Sequence, residues 1–171
     1  MKRVLVLVAM LACASACDEE PSRPGDPDAT LRTHEIQAST PTAEGLAYIE
    51  AIASAHRQAD GSSGATRTQA LEAGLSIPVP ADLPEAEVLR LELATRLAEE
   101  TMARPGGDKV AVSLLRPMLA PERSLPLDRS TARALVVLGD AAAKAGDDAL
   151  AAGSYARAIG VMSMLRQELE R

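Results

Sequence analysis

The sequence predicts an all-α fold, about six helices paired as antiparallel hairpins, and three observations carry that prediction. The 171 residues include 33 Ala and 22 Leu but no Phe, no Trp and only Tyr48 and Tyr155. Strands draw on Val, Ile and aromatics, whereas an Ala/Leu-rich chain with Glu and Arg interspersed favours helix. Beyond residue 40, apolar residues recur at helical spacing, and Gly- or Pro-containing breaks divide them into helix-length pieces. The 47% of apolar residues supports a packed core. The formal charge of −6 argues against a nucleic-acid partner, which needs basic patches.

The first element is an address rather than part of the fold. Lys2 and Arg3 precede an unbroken apolar run from Val4 to Leu11, and the small residues Ala12, Ala14, Ser15 and Ala16 lead up to Cys17. This is the charged, apolar, small-residue order of a secretory signal. The run is too short for a bilayer span, which takes about 20 residues. Ala14-Ser15-Ala16-Cys17 resembles the lipobox of bacterial lipoproteins, and the resemblance covers residues 1–17. It implies cleavage before Cys17, a diacylglycerol on the Cys17 thiol, and attachment to an envelope membrane facing the periplasm or the exterior. Whether that membrane is the inner or the outer one stays open. Ordinary secretion, with Ala14-x-Ala16 as the cleavage site, and an uncleaved anchor are the other readings. Losing Lys2 and Arg3 takes the formal charge from −6 to −8. Anionic lipid repels such a body, so the lipid is expected to hold the chain to the membrane.

Residues 17–40 then read as anchor and tether. Pro21, Pro24 and Pro27, the acids Asp18-Glu19-Glu20 and only isolated large apolar residues leave too little to bury. The helical domain is expected over 41–171.

Thr40 followed by Pro41 predicts the first helix start, with Tyr48, Ile49, Ile52, Ala55 and Ala59 on its packed face. Gly61-Ser62-Ser63-Gly64 stops it. A shorter helix spans 65–75 and ends at Ile77-Pro78-Val79-Pro80. Asp82 with Glu85 suggests a capping box opening a long helix to Arg104. Its apolar face is broad: Leu89, Leu93 and Leu97, flanked by Val88, Leu91, Ala94, Ala98 and Met102. That breadth predicts burial against more than one neighbour. After Pro105-Gly106-Gly107, Asp108 is expected to cap a fourth helix with Ala111, Leu114, Leu115 and Met118 inward and Pro117 at its end. The fifth starts near Asp128 or Ser130 and stops at Gly146. Asp147-Asp148 open the sixth, where Ala151, Tyr155, Ala158, Met162, Leu165 and Leu169 alternate at steps of four and three.

Gly61, Gly106 and Gly146 recur at intervals of 45 and 40 residues, which prompts a search for repeats. Leu135, Leu138-Gly139, Ala142, Ala151, Tyr155 and Ala158 resemble, in register, the signature of a tetratricopeptide repeat. Leu135 stands where that signature has a bulky aromatic, and Ser163 where it closes on Pro. The middle hairpin matches in part, through Gly106, Ala111, Leu115 and Met118, and the first only sparsely. The resemblance implies a short solenoid in which Gly139, Ala142, Ala151, Tyr155 and Ala158 pack the hairpin. It also implies that Arg133, Val136, Asp140 and Lys144 face a groove open to a partner. Val136 and Asp140 occupy the places where carboxylate-clamping members of that family carry Lys and Asn, so capture of a peptide C-terminus is disfavoured.

Residues for chemistry are sparse. His34 lies in the tether and His56 late in the first helix, and no second ordered His, Cys or carboxylate pair makes up a metal set. Gly106-Gly107-Asp108-Lys109 lacks the glycine spacing and hydroxyl of a phosphate loop, and there is no Gly-x-Ser-x-Gly elbow. Glu99-Glu100 and Asp147-Asp148 are adjacent pairs that point apart on a helix, so they read as solvated or capping residues. The expectation is a lipid-anchored envelope protein that binds another envelope protein, without catalysis, metal or cofactor. The alternatives are a ligand-binding or enzymatic periplasmic helical domain, or a pilotin-like assembly lipoprotein.

Overall fold

The computed structural model describes residues 42–170 other than Asp82 and Pro84. The lipobox with Cys17, the tether, His34, the Thr40–Pro41 start and Asp82 lie outside the described residues. Those described form an all-α fold of six helices: α1 Ala43–Asp60, α2 Gly64–Leu75, α3 Ala86–Met102, α4 Gly107–Leu115, α5 Arg129–Ala145 and α6 Asp148–Leu169. Each helix packs on the next in the chain, and α3 also touches α1 and α5. Three antiparallel hairpins result: α1–α2, α3–α4 and α5–α6.

The central helix explains the breadth of its apolar face. Leu93 and Leu97 are buried in a first core with Tyr48, Ile52, Ala55, Ala59, Ala70 and Leu71 of α1 and α2. Leu91, Ala94 and Ala98 are buried in a second core with Ala111 and Leu115 of α4 and with Ala134, Leu135 and Leu138 of α5. One helix thus serves two cores from two sides. Leu93 is wholly buried, and removing a side chain of that size from water contributes about 2–3 kcal/mol. α2 approaches closely here because Gly74 has no Cβ: one added would lie 2.8 Å from the Ala55 Cβ and 2.5 Å from Leu93 Cδ2.

Several helix starts differ from expectation. The Thr42 hydroxyl caps α1 by accepting from the Gly45 N–H at 3.0 Å, so the cap falls two residues past Thr40. Ile49 is 36% exposed, rotated off the face that Tyr48 and Ile52 bury. α3 begins at Ala86 with Glu85 at its N-cap position and no side-chain cap; a turn closed by the Ala86 N–H on Leu83 O at 3.0 Å leads into it. Asp108 does not cap α4. Gly106, left-handed at φ 75°, reverses the chain so abruptly that the helix starts at Gly107 and Asp108 falls inside its first turn. α4 ends at Leu115, two residues before Pro117.

Candidate interaction surface

The α5–α6 hairpin is set by two aspartates and a glycine. Asp128 Oδ1 accepts from the Thr131 N–H at 2.6 Å and starts α5. Gly146, left-handed at φ 83°, ends it, and Asp147 Oδ1 accepts from the Leu150 N–H at 3.0 Å to start α6. Between the helices Ala142, Ala151 and Ala158 are buried. A Cβ on Gly139 would lie 2.6 Å from Tyr155 Cε1, so the ring rests directly on the glycine backbone. The Tyr155 hydroxyl donates to Asp140 Oδ1 at 2.6 Å. That bond to a carboxylate holds the phenol above its ordinary pKa, with desolvation and the Asp140 charge acting in the same direction.

Arg133, Val136, Asp140 and Lys144 all lie exposed along α5, but they are not equally available. Arg133 forks onto Glu99 of α3, with Nε to Oε1 at 3.1 Å and Nη2 to Oε2 at 2.7 Å. Asp140 is engaged by Tyr155. Lys144 makes no ion pair among the described residues. Val136 is 41% exposed and turns toward α6. The neighbour of Glu99 points the other way: Glu100 pairs with Arg67 of α2 at 2.7 Å. The two adjacent acids, expected to form a solvated face, instead tie α3 to a hairpin on either side.

A groove of about 640 Å³ opens between the N-terminal half of α5 and the C-terminal half of α6, lined by Arg129, Val136, Ile159, Met162, Arg166 and Leu169 among others. Here the sequence expectation is corrected. Met162 and Leu169 continue the inward stripe of α6 in spacing, yet they are 49% and 82% exposed, and Ile159 beside them is 67% exposed. Length accounts for Leu169: α6 has 22 residues and α5 has 17, so at 1.5 Å per residue the last turn of α6 outruns its partner by about 7 Å. Ile159 and Met162 precede that overhang and are exposed because they line the open side of the hairpin. The groove itself was missed by sequence reasoning; the signal for it was a stripe persisting past the last residue that α5 could cover.

Between α1 and α3, His56 Nδ1 lies 2.6 Å from Arg96 Nη1, and Arg96 Nη2 reaches Asp60 Oδ1 at 2.5 Å. A guanidinium only donates, so Nδ1 accepts and the ring proton sits on Nε2. Burial, then the Arg96 charge, lower the pKa of His56, while Glu92 and Asp60 oppose them. The Gly106-Gly107 turn has no open cradle: the Gly107 N–H bonds Arg104 O at 3.0 Å, and a Cβ there would sit 1.8 Å from Thr101 O. Among the described residues no three His, Cys, Asp or Glu converge as a metal set, and no helix is long and apolar enough to cross a membrane. Comparison with protein-family models, with curated proteins and with solved structures finds no match for this chain.

Proposed function

We propose that the chain is a lipid-anchored protein of the bacterial cell envelope whose helical-repeat domain binds another envelope protein and catalyses nothing. The observation that carries the interaction role is where the apolar surface lies. Eight large hydrophobic residues are exposed among those described, and five of them, Val136, Ile159, Met162, Met164 and Leu169, belong to the α5–α6 hairpin. A concentration of apolar surface on one element marks an interaction site more than scattered exposure does. The anchor rests on sequence: the basic start, the eight-residue apolar run and Ala14-Ser15-Ala16-Cys17. Three successive hairpins, with a helix shared between cores and Gly139 under the Tyr155 ring, support a tetratricopeptide-like stack.

The test has two arms. Cys17→Ala is expected to move the chain from the membrane fraction to the soluble fraction, and unchanged fractionation refutes the lipid anchor. Crosslinking of the lipidated chain in intact envelopes is expected to capture a discrete partner that Met162→Asp loses. Identical capture by both refutes the assignment of the interaction to the last hairpin.

A further inference from the structure

We propose that the open end of the α5–α6 hairpin receives an amphipathic helix of another protein that carries carboxylates beside its apolar stripe. This deepens the interaction role given above and rests on it. Repetition within the fold shows the shape of what is missing. α3 packs on both helices of the α1–α2 hairpin, and α5 packs on both helices of the α3–α4 hairpin. The first two hairpins are therefore each covered by a further helix. Among the described residues none covers the third, and its uncovered face is the groove. Stacked helical repeats ordinarily close with a polar outer face. This one presents Val136, Ile159, Met162 and Leu169 instead, which suits a helix with apolar anchors at i, i+3 or i+4, and i+7.

Charge gives the second half of the argument. Both covered junctions are tied by arginine–carboxylate pairs: Glu100 of α3 to Arg67 of α2, and Arg133 of α5 to Glu99 of α3, each at 2.7 Å. At the open junction the charged lining residues are Arg129 and Arg166, and among the described residues no carboxylate lines it. Arg129 makes no ion pair among the described residues, and Arg166 is tied only to Glu170 one turn along its own helix. An exposed pair of that kind contributes little and leaves the guanidinium free to exchange partners. The groove is thus a cationic, apolar seat on a chain with a net charge of −6. At the other junctions the arginine comes from either side, from Arg67 of the hairpin or from Arg133 of the covering helix, so what they share is the pairing; where the hairpin supplies Arg129 and Arg166, the covering helix brings the carboxylates.

The test uses the full chain in phosphatidylcholine nanodiscs, with empty nanodiscs as background. The probes are two fluorescent amphipathic peptides of about 15–20 residues, identical in their apolar stripe and flanked by Glu in one and by Lys in the other. The Glu-flanked peptide is expected to bind about tenfold more tightly, with an advantage that fades as salt rises. Arg129→Glu with Arg166→Glu is expected to reverse the preference. Both sites are solvent-facing, so the fold is retained, as circular dichroism of the variant checks. Met162→Asp is expected to weaken both peptides. Equal affinities, a preference that survives the charge reversal, no binding of either peptide, or self-association that shuts the peptide out would each overturn the proposal. A chain that fails with the peptides but still loses its envelope partner on Met162→Asp overturns the helix and its carboxylates while leaving the interaction role in place.

Discussion

Gly139→Ala is expected to destabilise this protein even though alanine is the better helix former. The added Cβ would meet three atoms of the Tyr155 ring at 2.6, 2.8 and 2.9 Å. Carbon atoms rest at about 3.5–4.0 Å, so the ring or the helices must separate by roughly 1 Å. Forcing extra volume into a packed crossing costs about 1–3 kcal/mol. If the ring swings out instead, the bond from its hydroxyl to Asp140 is lost, at about 1 kcal/mol. Against this, Gly→Ala in a helix interior gains about 1 kcal/mol. The expected net loss is up to about 2 kcal/mol, or as much as roughly 8 °C in Tm for a domain of this size. The background decides the sign. With Tyr155→Ala the obstacle is gone, so adding Gly139→Ala should then stabilise by up to about 1 kcal/mol. Urea denaturation followed by circular dichroism measures all four corners of this cycle. If Gly139→Ala stabilises in both backgrounds, the close approach of ring and backbone is wrong.

Two further predictions concern register and pH. Ala151 is buried in the hairpin while Ala152, one residue round the helix, is exposed; Ala151→Leu should therefore cost about 1–3 kcal/mol and Ala152→Leu almost nothing, and equal losses would mean a helix buried all round. The lowered pKa of His56 makes the unfolded chain take up a proton first as pH falls below the ordinary value of 6.5. Stability from this group is therefore present above pH 6.5 and is lost as the pH drops towards the folded pKa. His56→Gln should flatten that part of the stability profile, and an unchanged slope would place the titration elsewhere.

Secondary structure was legible wherever it rests on local chemistry. Asp128 and Asp147 cap because their short carboxylates reach the N–H three residues on, and Gly146 ends α5 because it adopts a positive φ readily. The breadth of α3 was legible for a similar reason: a face too wide for one neighbour must meet two. Starts decided by tertiary contact were not. Buried Leu83 precedes α3, and the Tyr48 hydroxyl donates to Ala86 O at 3.4 Å from another helix. Gly74 carries no local signal, because its role is to let α2 approach Ala55 and Leu93, residues distant in sequence.

The same distinction accounts for the candidate interaction surface. Periodicity identifies a stripe but not what lies opposite it, and α6 carries one continuous stripe with two fates. Its first half, Ala151 to Ala158, is narrow because it meets α5 across Gly139 and Ala142. Tyr155 fits between those alanines because Gly139 carries no side chain opposite its ring. In its second half the stripe continues as Met162, Leu165 and Leu169, and Met162 and Leu169 stand 49% and 82% exposed. Of the polar members of the expected α5 face, Arg133 and Asp140 are already held by Glu99 and Tyr155, while Lys144 makes no ion pair among the described residues. On the proposed interaction role, what remains for a partner is Lys144 and Val136 together with the large apolar residues of α6, so recognition should depend on apolar contact first, with Arg129 and Arg166 selecting among helices by charge.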